Sequence, residues 1–379
     1  MRFSLVFTAS AASASLLRRQ TFGDAPQMPD SAFPKFETVT LEDAKAGLDR
    51  LIQGLVQPLN LTGDAPVESK EPETSNFRVM AATAQSAQSD ACRANPNIRF
   101  EWREYSDSDR LAFVRAVKCL MNKPPSGNFP PARSRYEDFV RIHQDYMPNV
   151  HNNAKFLIWH RYYLWTFEQV LRSECGFDRA MVWWDETKDA GRFGQSDMFT
   201  NPAYFGSMPA RDANGNPTCI NDGEFAGLIA NIGPGNSQTS HCLARGVNEA
   251  DTAQCNTDFI NYCNQRTSYA DYESCLEYGP HGYGHNGIGG VMADVWASPS
   301  DPVFWMHHSF IDHSWRIWQN LDGNRILNID GVDAAGNALT LDTMVYMGGI
   351  RPDVRVRDII DTLGGVSIGG VPFCYRYTY

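Results

Sequence analysis

The chain has 379 residues, 42% of them hydrophobic and 12% aromatic, enough for one large core-rich domain or for two or three average ones. Its formal net charge is −11, and lysine and arginine gather in no basic cluster. That argues against nucleic acid or an anionic membrane as partner and favours a small neutral or weakly charged ligand.

Nine cysteines fit an oxidising compartment with several disulfides, and the odd count leaves at least one thiol unpaired. At the N-terminus Arg2, an apolar stretch from Phe3 to Phe7 and the small residues Ala12-Ser13-Ala14 read as a secretory signal peptide. Arg18-Arg19 reads as a dibasic processing site, so residues 1–19 are expected to be removed and the mature protein to be secreted. No later run approaches the ~18 apolar residues of a membrane span. Residues 20–90 are expected to form an N-terminal helical extension, with helices over Thr40 to Gln57, ended by Pro58, and around Phe77 to Ser89. A shielding element, a dimer contact and plain packing are all open roles for it. Asn60-Leu61-Thr62 is the one N-glycosylation sequon singled out.

From Tyr105 to Met121 the pattern predicts a helix, with Ser106 as N-cap, Asp109 three residues on, and Pro124-Pro125 beyond its end. Tyr136 to Met147 puts Phe139, Ile142, His143 and Tyr146 on one helical stripe, which turns His143 inward. A longer helix is predicted from Lys155 to Glu174, with Phe156, His160, Phe167 and Leu171 on its buried face and Gly176 near its end. His151 falls in the loop before it. Between Gly191 and Pro280 the chain reads as loop-rich. Asp301 or Ser300 is expected to cap a further helix that opens at Pro302 and carries His307, His308 and Trp315. Beyond Asn320 short apolar runs and glycines suggest a few strands.

Seven of the nine histidines fall in two groups. His143, His151 and His160 make one trio; His281, His285 and one of the pair His307/His308 make the other. Imidazole suits copper, zinc and iron, and a trio of neutral imidazoles leaves coordination positions open for a small molecule. His281 and His285, four apart, project from one helix face, although Gly282 and Gly284 weaken that helix. The glutamate that a zinc-protease helix carries between its two histidines is missing.

The segment from His151 through Phe156-Leu157-Ile158-Trp159-His160 to Glu168 resembles the copper A signature of tyrosinases and catechol oxidases. His281-Gly282-Tyr283-Gly284-His285, together with Asp301-Pro302-Val303-Phe304-Trp305-Met306-His307-His308 and Asp312, is similar to their copper B signature. The resemblance is to short secreted fungal polyphenol oxidases without a C-terminal lid domain and covers about Ile98 to Tyr379, so residues 91–379 are expected to be the catalytic domain. It implies a mainly α fold with a four-helix bundle core around a dicopper site, two copper ions per chain, O2 as co-substrate and a small phenolic substrate. His143, His151 and His160 would bind copper A and His281, His285 and His308 copper B. His308 is preferred because it lies four before Asp312, with His307 beside it as an indirect contributor.

By the same resemblance Glu277 would position a water near copper B, and Asp312 would accept a hydrogen bond from a ligand imidazole. Phe156, Trp159 and Phe304 would pack around the rings. Met292 and Val295 would line the substrate pocket. Gly282 stands where phenol-hydroxylating relatives often carry Asn, which implies strong o-diphenol oxidation and weak monophenol hydroxylation. Asn149 stands where many relatives carry a cysteine joined to a copper A histidine. An o-aminophenol oxidase, a hemocyanin-like O2 carrier and, more remotely, a dinuclear zinc hydrolase are the competing readings. The physiological phenol and the oligomeric state are not legible.

Overall fold

In a computed structural model the protein is described over residues 25–47 and 87–378. The expected signal peptide, the sequon at Asn60 and most of the extension lie outside those residues. What is described of the extension is mostly extended chain: a single short helix, α1 (Leu41–Lys45), capped by Thr40, ends in a turn at Gly47 with φ 91°. Of the helix expected from Thr40 to Gln57, the described part is therefore one short helix that ends before Gly47, and residues 48–57 lie outside the described ones. The left-handed backbone that Gly47 adopts at no steric cost breaks the helical path. Residues 87–94 form α2.

Three long helices follow. In α3 (Asp107–Asn122) the Ser106 side chain accepts from the Asp109 amide, as the capping pattern predicts. The second, α4 (Arg135–Val150), is capped by Ser134 and tolerates Pro148 in its last turn. The third, α5 (Phe156–Cys175), ends at Gly176 in the left-handed region, φ 64°. Every residue of α5 from Phe156 to Leu171 is buried, so no polar face exists and the helix runs through the middle of the molecule. Amphipathic periodicity describes only part of such a helix, since its neighbours cover it on all sides.

The stretch expected to be loop-rich contains one-turn helices at Asp197–Thr200 and Glu249–Thr252 and two longer ones. Thr257–Asn264 and α6 (Tyr269–Leu276) are short, and the disulfide Cys263–Cys275 joins them. The chain continues through Glu277 and Tyr278, breaks at Gly279 (φ −96°, ψ −118°), and resumes into α7 (Gly282–Ile288). Only glycine fits at the break: a Cβ at Gly279 would stand 2.6 Å from the Phe259 ring. Finally α8 (Val303–Asn320) packs along α5. Asp301 caps α8 by accepting from the Val303 amide at 3.0 Å, and Pro302 takes the first helical position.

The architecture is mainly α, with α4, α5, α7 and α8 around one core and a few short two-stranded ladders packed against it. One ladder pairs β1 (Asn97–Arg99) in parallel with β2 (Tyr375–Tyr377), and the disulfide Cys92–Cys374 lies beside it. Cys119–Cys175 ties α3 to the end of α5, and Cys219–Cys242 joins two loops. Cys255 remains as a buried free thiol. Among the described residues no helix is long and apolar enough to cross a membrane.

Candidate metal centre

Both histidine groups assemble in the core at the place where the four helices meet. His143 comes from the middle of α4, and His151 is the residue at its C-terminal end. His160 lies one turn into α5, His281 and His285 flank the start of α7, and His307 and His308 sit in the first turns of α8. All seven are at most 3% exposed, a level that imidazole reaches only when its nitrogens are partnered or bind a metal.

In the first trio the His143 Nε2 stands 3.3 Å from the His151 Nε2 and 3.4 Å from the His160 Nε2. In the second, the His285 and His308 Nε2 atoms are 3.1 Å apart, and the His281 Nε2 has no hydrogen-bond partner. Two nitrogens bound to one metal ion at about 2.0–2.1 Å with tetrahedral angles stand about 3.3 Å apart, so this spacing fits a shared ion. It is a poor fit to hydrogen bonding, because one nitrogen would have to serve two neutral rings at once.

The opposite ring nitrogens are tethered. The Nδ1 atoms of His143, His160, His281 and His285 stand 2.9, 2.8, 3.1 and 2.7 Å from the carbonyl oxygens of Trp296, Phe156, Glu277 and Met292. Carbonyls only accept, so each Nδ1 carries the proton and each Nε2 keeps its lone pair for a ligand. Burial, reinforced by the neighbouring imidazoles, pushes the His143 conjugate acid down to about 3, and the same causes hold His160, His281, His285 and His308 well below the ordinary range. The rings are therefore neutral, the form in which imidazole binds metal.

The two trios face one another. The His160 and His308 rings stack at 4.5 Å, and the His151 and His281 rings at 5.8 Å. Phe156 wedges between them, 4.4 Å from His281 and 4.8 Å from His160. Phe304 stacks on His308 at 4.0 Å, and Trp159 meets His160 edge-on at 5.0 Å. These aromatic walls keep water away from the imidazoles.

Several residues are placed differently from expectation. Asp312 touches no imidazole; one turn beyond His308 it points away from the trio into a buried polar cluster. It takes the Arg161 Nε at 2.6 Å, the Tyr375 hydroxyl at 2.7 Å and the Tyr377 hydroxyl, with Arg99 3.5 Å away. The Nδ1 of His308 has no hydrogen-bond partner among the described residues. The Glu277 carboxylate sits behind the first trio, against the end of α4, rather than at the second. Its carboxylate accepts from the His151 Nδ1 at 3.0 Å and from the Asn152 amide. Met292 is fully buried, and its carbonyl faces the His285 Nδ1.

His307 pairs with Glu186, its Nδ1 2.6 Å from the carboxylate, and its ring lies 4.5 Å from that of His285. Sequence reading missed Glu186, although an acid following Trp183-Trp184-Asp185 in an apolar stretch is an available sign. Gly284 is required by this pair, since a Cβ there would stand 2.5 Å from the His307 ring. Phe36 was missed as well. Its ring stacks on His285 at 4.1 Å, and it comes from the extension, far from either motif.

Comparison with known proteins points the same way. Residues 133–321 match the family model described as the common central domain of tyrosinase. The chain is 32% identical over 296 residues to tyrosinase ustQ of Aspergillus flavus, covering 75% of this chain and 80% of that one. It is 28% identical over 369 residues to the N-acetyl-6-hydroxytryptophan oxidase ivoB of Emericella nidulans, covering 78% and 96%. Among solved structures, a polyphenol oxidase mutant from Thermothelomyces thermophila superposes with TM-score 0.64 at 26% identity, covering 80% of this chain and 96% of that one. A Burkholderia thailandensis tyrosinase, at TM-score 0.53, 15% identity and coverage of 75% and 74%, shares the fold. With the central-domain match inside a helical fold of the same kind, and relatives alike over most of both chains, this protein belongs to the tyrosinase family.

Proposed function

We propose that the protein is a secreted type-3 dicopper oxidase that converts o-diphenols to o-quinones with O2 and hydroxylates monophenols only weakly. His143, His151 and His160 hold copper A; His281, His285 and His308 hold copper B. The observation that carries this reading is the pair of facing imidazole trios, with the Nδ1 atoms of His143, His151, His160, His281 and His285 tethered and Nε2 atoms converging within each trio. Two copper ions, each changing by one electron, supply a two-electron couple, so that two catechols and one O2 give two quinones and two waters. Zinc has no redox change, and a zinc hydrolase pair ordinarily adds bridging carboxylates, which neither trio contains.

The protein's own groups do the positioning. Carbonyls of Trp296, Phe156, Glu277 and Met292, and the Glu277 carboxylate, fix the imidazole planes before metal arrives. Phe156, Phe304 and Trp159 exclude water. Gly282 offers no side chain to take the proton of a monophenol, which supports the preference for catechols. The four disulfides suit secretion. A relative named for oxidising N-acetyl-6-hydroxytryptophan keeps other hydroxylated aromatics, o-aminophenols included, as the second reading.

The test is copper-loaded protein at two equivalents per chain. Addition of H2O2 should produce a near-ultraviolet absorption band, and 4-tert-butylcatechol should drive O2 uptake. No band overturns the dicopper reading; a band without uptake identifies an O2 carrier. Turnover of a monophenol comparable to that of its catechol, without a lag, overturns the diphenol preference.

A further inference from the structure

The described part of the extension crosses the metal centre as a strap. Its buried residues recur every third position, Phe33, Phe36 and Val39, while Pro34, Lys35 and Glu37 are exposed. The strap is pinned on both sides of the site. Asp30 pairs with Arg211 at 2.6 Å, and the Val295 amide donates to the Pro34 carbonyl at 2.8 Å. Asn286, next to His285, both accepts from the Phe36 amide at 3.2 Å and donates to its carbonyl at 2.9 Å. Beyond the site the Val39 amide donates to the Tyr278 carbonyl at 2.9 Å.

Between these anchors the Phe36 ring enters the site. It lies nearly parallel to the His285 imidazole, 4.1 Å away with planes 20° apart, and meets His281 and His151 edge-on at 5.0 and 5.6 Å. It thus touches rings of both trios. Gly282 lets the strap lie this close: a Cβ there would stand 2.9 Å from the Glu37 carbonyl oxygen and from the Thr38 methyl.

We infer that Phe36 occupies the position of the substrate ring, so that the strap must lift Phe36 off His285 before a phenol reaches the metal pair. This rests on the proposed dicopper site. A phenyl group on the exposed face of a ligand imidazole is the geometry that an incoming aromatic ring would itself adopt, and two rings cannot share it. The affinity for any aromatic ligand is then reduced by the fraction of molecules in which the strap is open. Phe36 is in this sense a specificity-determining residue, with larger rings requiring wider opening.

The test uses zinc-loaded protein, which cannot turn over, with 4-nitrocatechol as a probe followed by its absorbance. Phe36→Ala should bind the probe at least about tenfold more tightly than the unaltered protein. In the unaltered protein the Phe36, Val39 and Val295 amides should exchange faster with deuterium when the probe is bound. Equal or weaker binding by Phe36→Ala overturns the inference and makes the strap a fixed wall; so does unchanged or stronger amide protection with the probe bound. The exchange measurement needs no variant and decides the matter alone if Phe36→Ala fails to fold. A missing H2O2 band in the copper-loaded protein counts against the oxidase reading without touching this result, and a protein that takes up neither zinc nor copper overturns both.

Discussion

Replacing Asp312 separates a structural role from a metal-orienting one. The carboxylate is 3% exposed and receives Arg161, Tyr375 and Tyr377, with Arg99 3.5 Å away; both arginines are fully buried. Asp312→Ala leaves the Arg161 guanidinium without its carboxylate and two tyrosine hydroxyls without an acceptor. Removing one partner of a buried ion pair costs about 3–5 kcal/mol, and each abandoned hydroxyl about 1 kcal/mol more, while Arg99 keeps its existing partner Glu168 at 2.8 Å. A loss of about 5–7 kcal/mol is expected, a large share of a typical domain stability of roughly 5–15 kcal/mol. Guanidinium unfolding followed by tryptophan fluorescence measures it, with nine tryptophans as reporters. Asp312→Asn keeps the shape and one acceptor and should lose less. At low denaturant, where the variant is folded, copper affinity and the H2O2 band should match the unaltered protein. A stability loss below about 1 kcal/mol, or a copper affinity reduced 10–100-fold in the folded variant, refutes this reasoning and returns Asp312 to the service of a ligand imidazole.

Glu277→Gln should do the reverse, leaving stability within about 1–2 kcal/mol but weakening copper A by roughly 10–100-fold in a chelator competition, because His151 loses the carboxylate behind its Nδ1. Of the adjacent pair, His308→Ala should reduce bound copper from two equivalents to one, whereas His307→Gln should retain two, since the His307 ring is committed to Glu186; elemental analysis after dialysis reads the difference. The metal-free protein should lose stability in acid. His143, His160, His281, His285 and His308 have folded-state values below the ordinary 6.5, so the unfolded chain binds protons first as the pH falls. Their contribution is complete above about pH 6.5 and is lost progressively toward about 3, the value for His143, at up to roughly 1.4 kcal/mol per pH unit for each imidazole. Asp294, pushed up to about 7 by burial, works in the opposite sense and offsets about one of them. Equal melting temperatures at pH 7.5 and pH 5 would contradict this.

The long helices and the histidines they carry are legible in the local sequence. Ser106 before α3, Gly176 after α5 and Asp301-Pro302 before α8 are local signals, and the backbone obeys them locally. The motif resemblance gathered the seven histidines in advance, and their side chains do meet in the core. Tertiary structure decided what sequence distance hides. Only glycine fits the break at Gly279, where the Phe259 ring packs, and the Glu277 carboxylate two residues earlier meets His151 rather than the second trio. Asp312 lies one turn from His308 in sequence, but the α5 arginine and the C-terminal tyrosines capture its carboxylate. Phe36 and Glu186 belong to no motif; they reach the site only because the chain folds back over α7 and α8. Caps and helical periods depend on neighbours within a few residues and are written in the chain, whereas the partners of a buried charge or an aromatic face are chosen by whichever distant segment packs there.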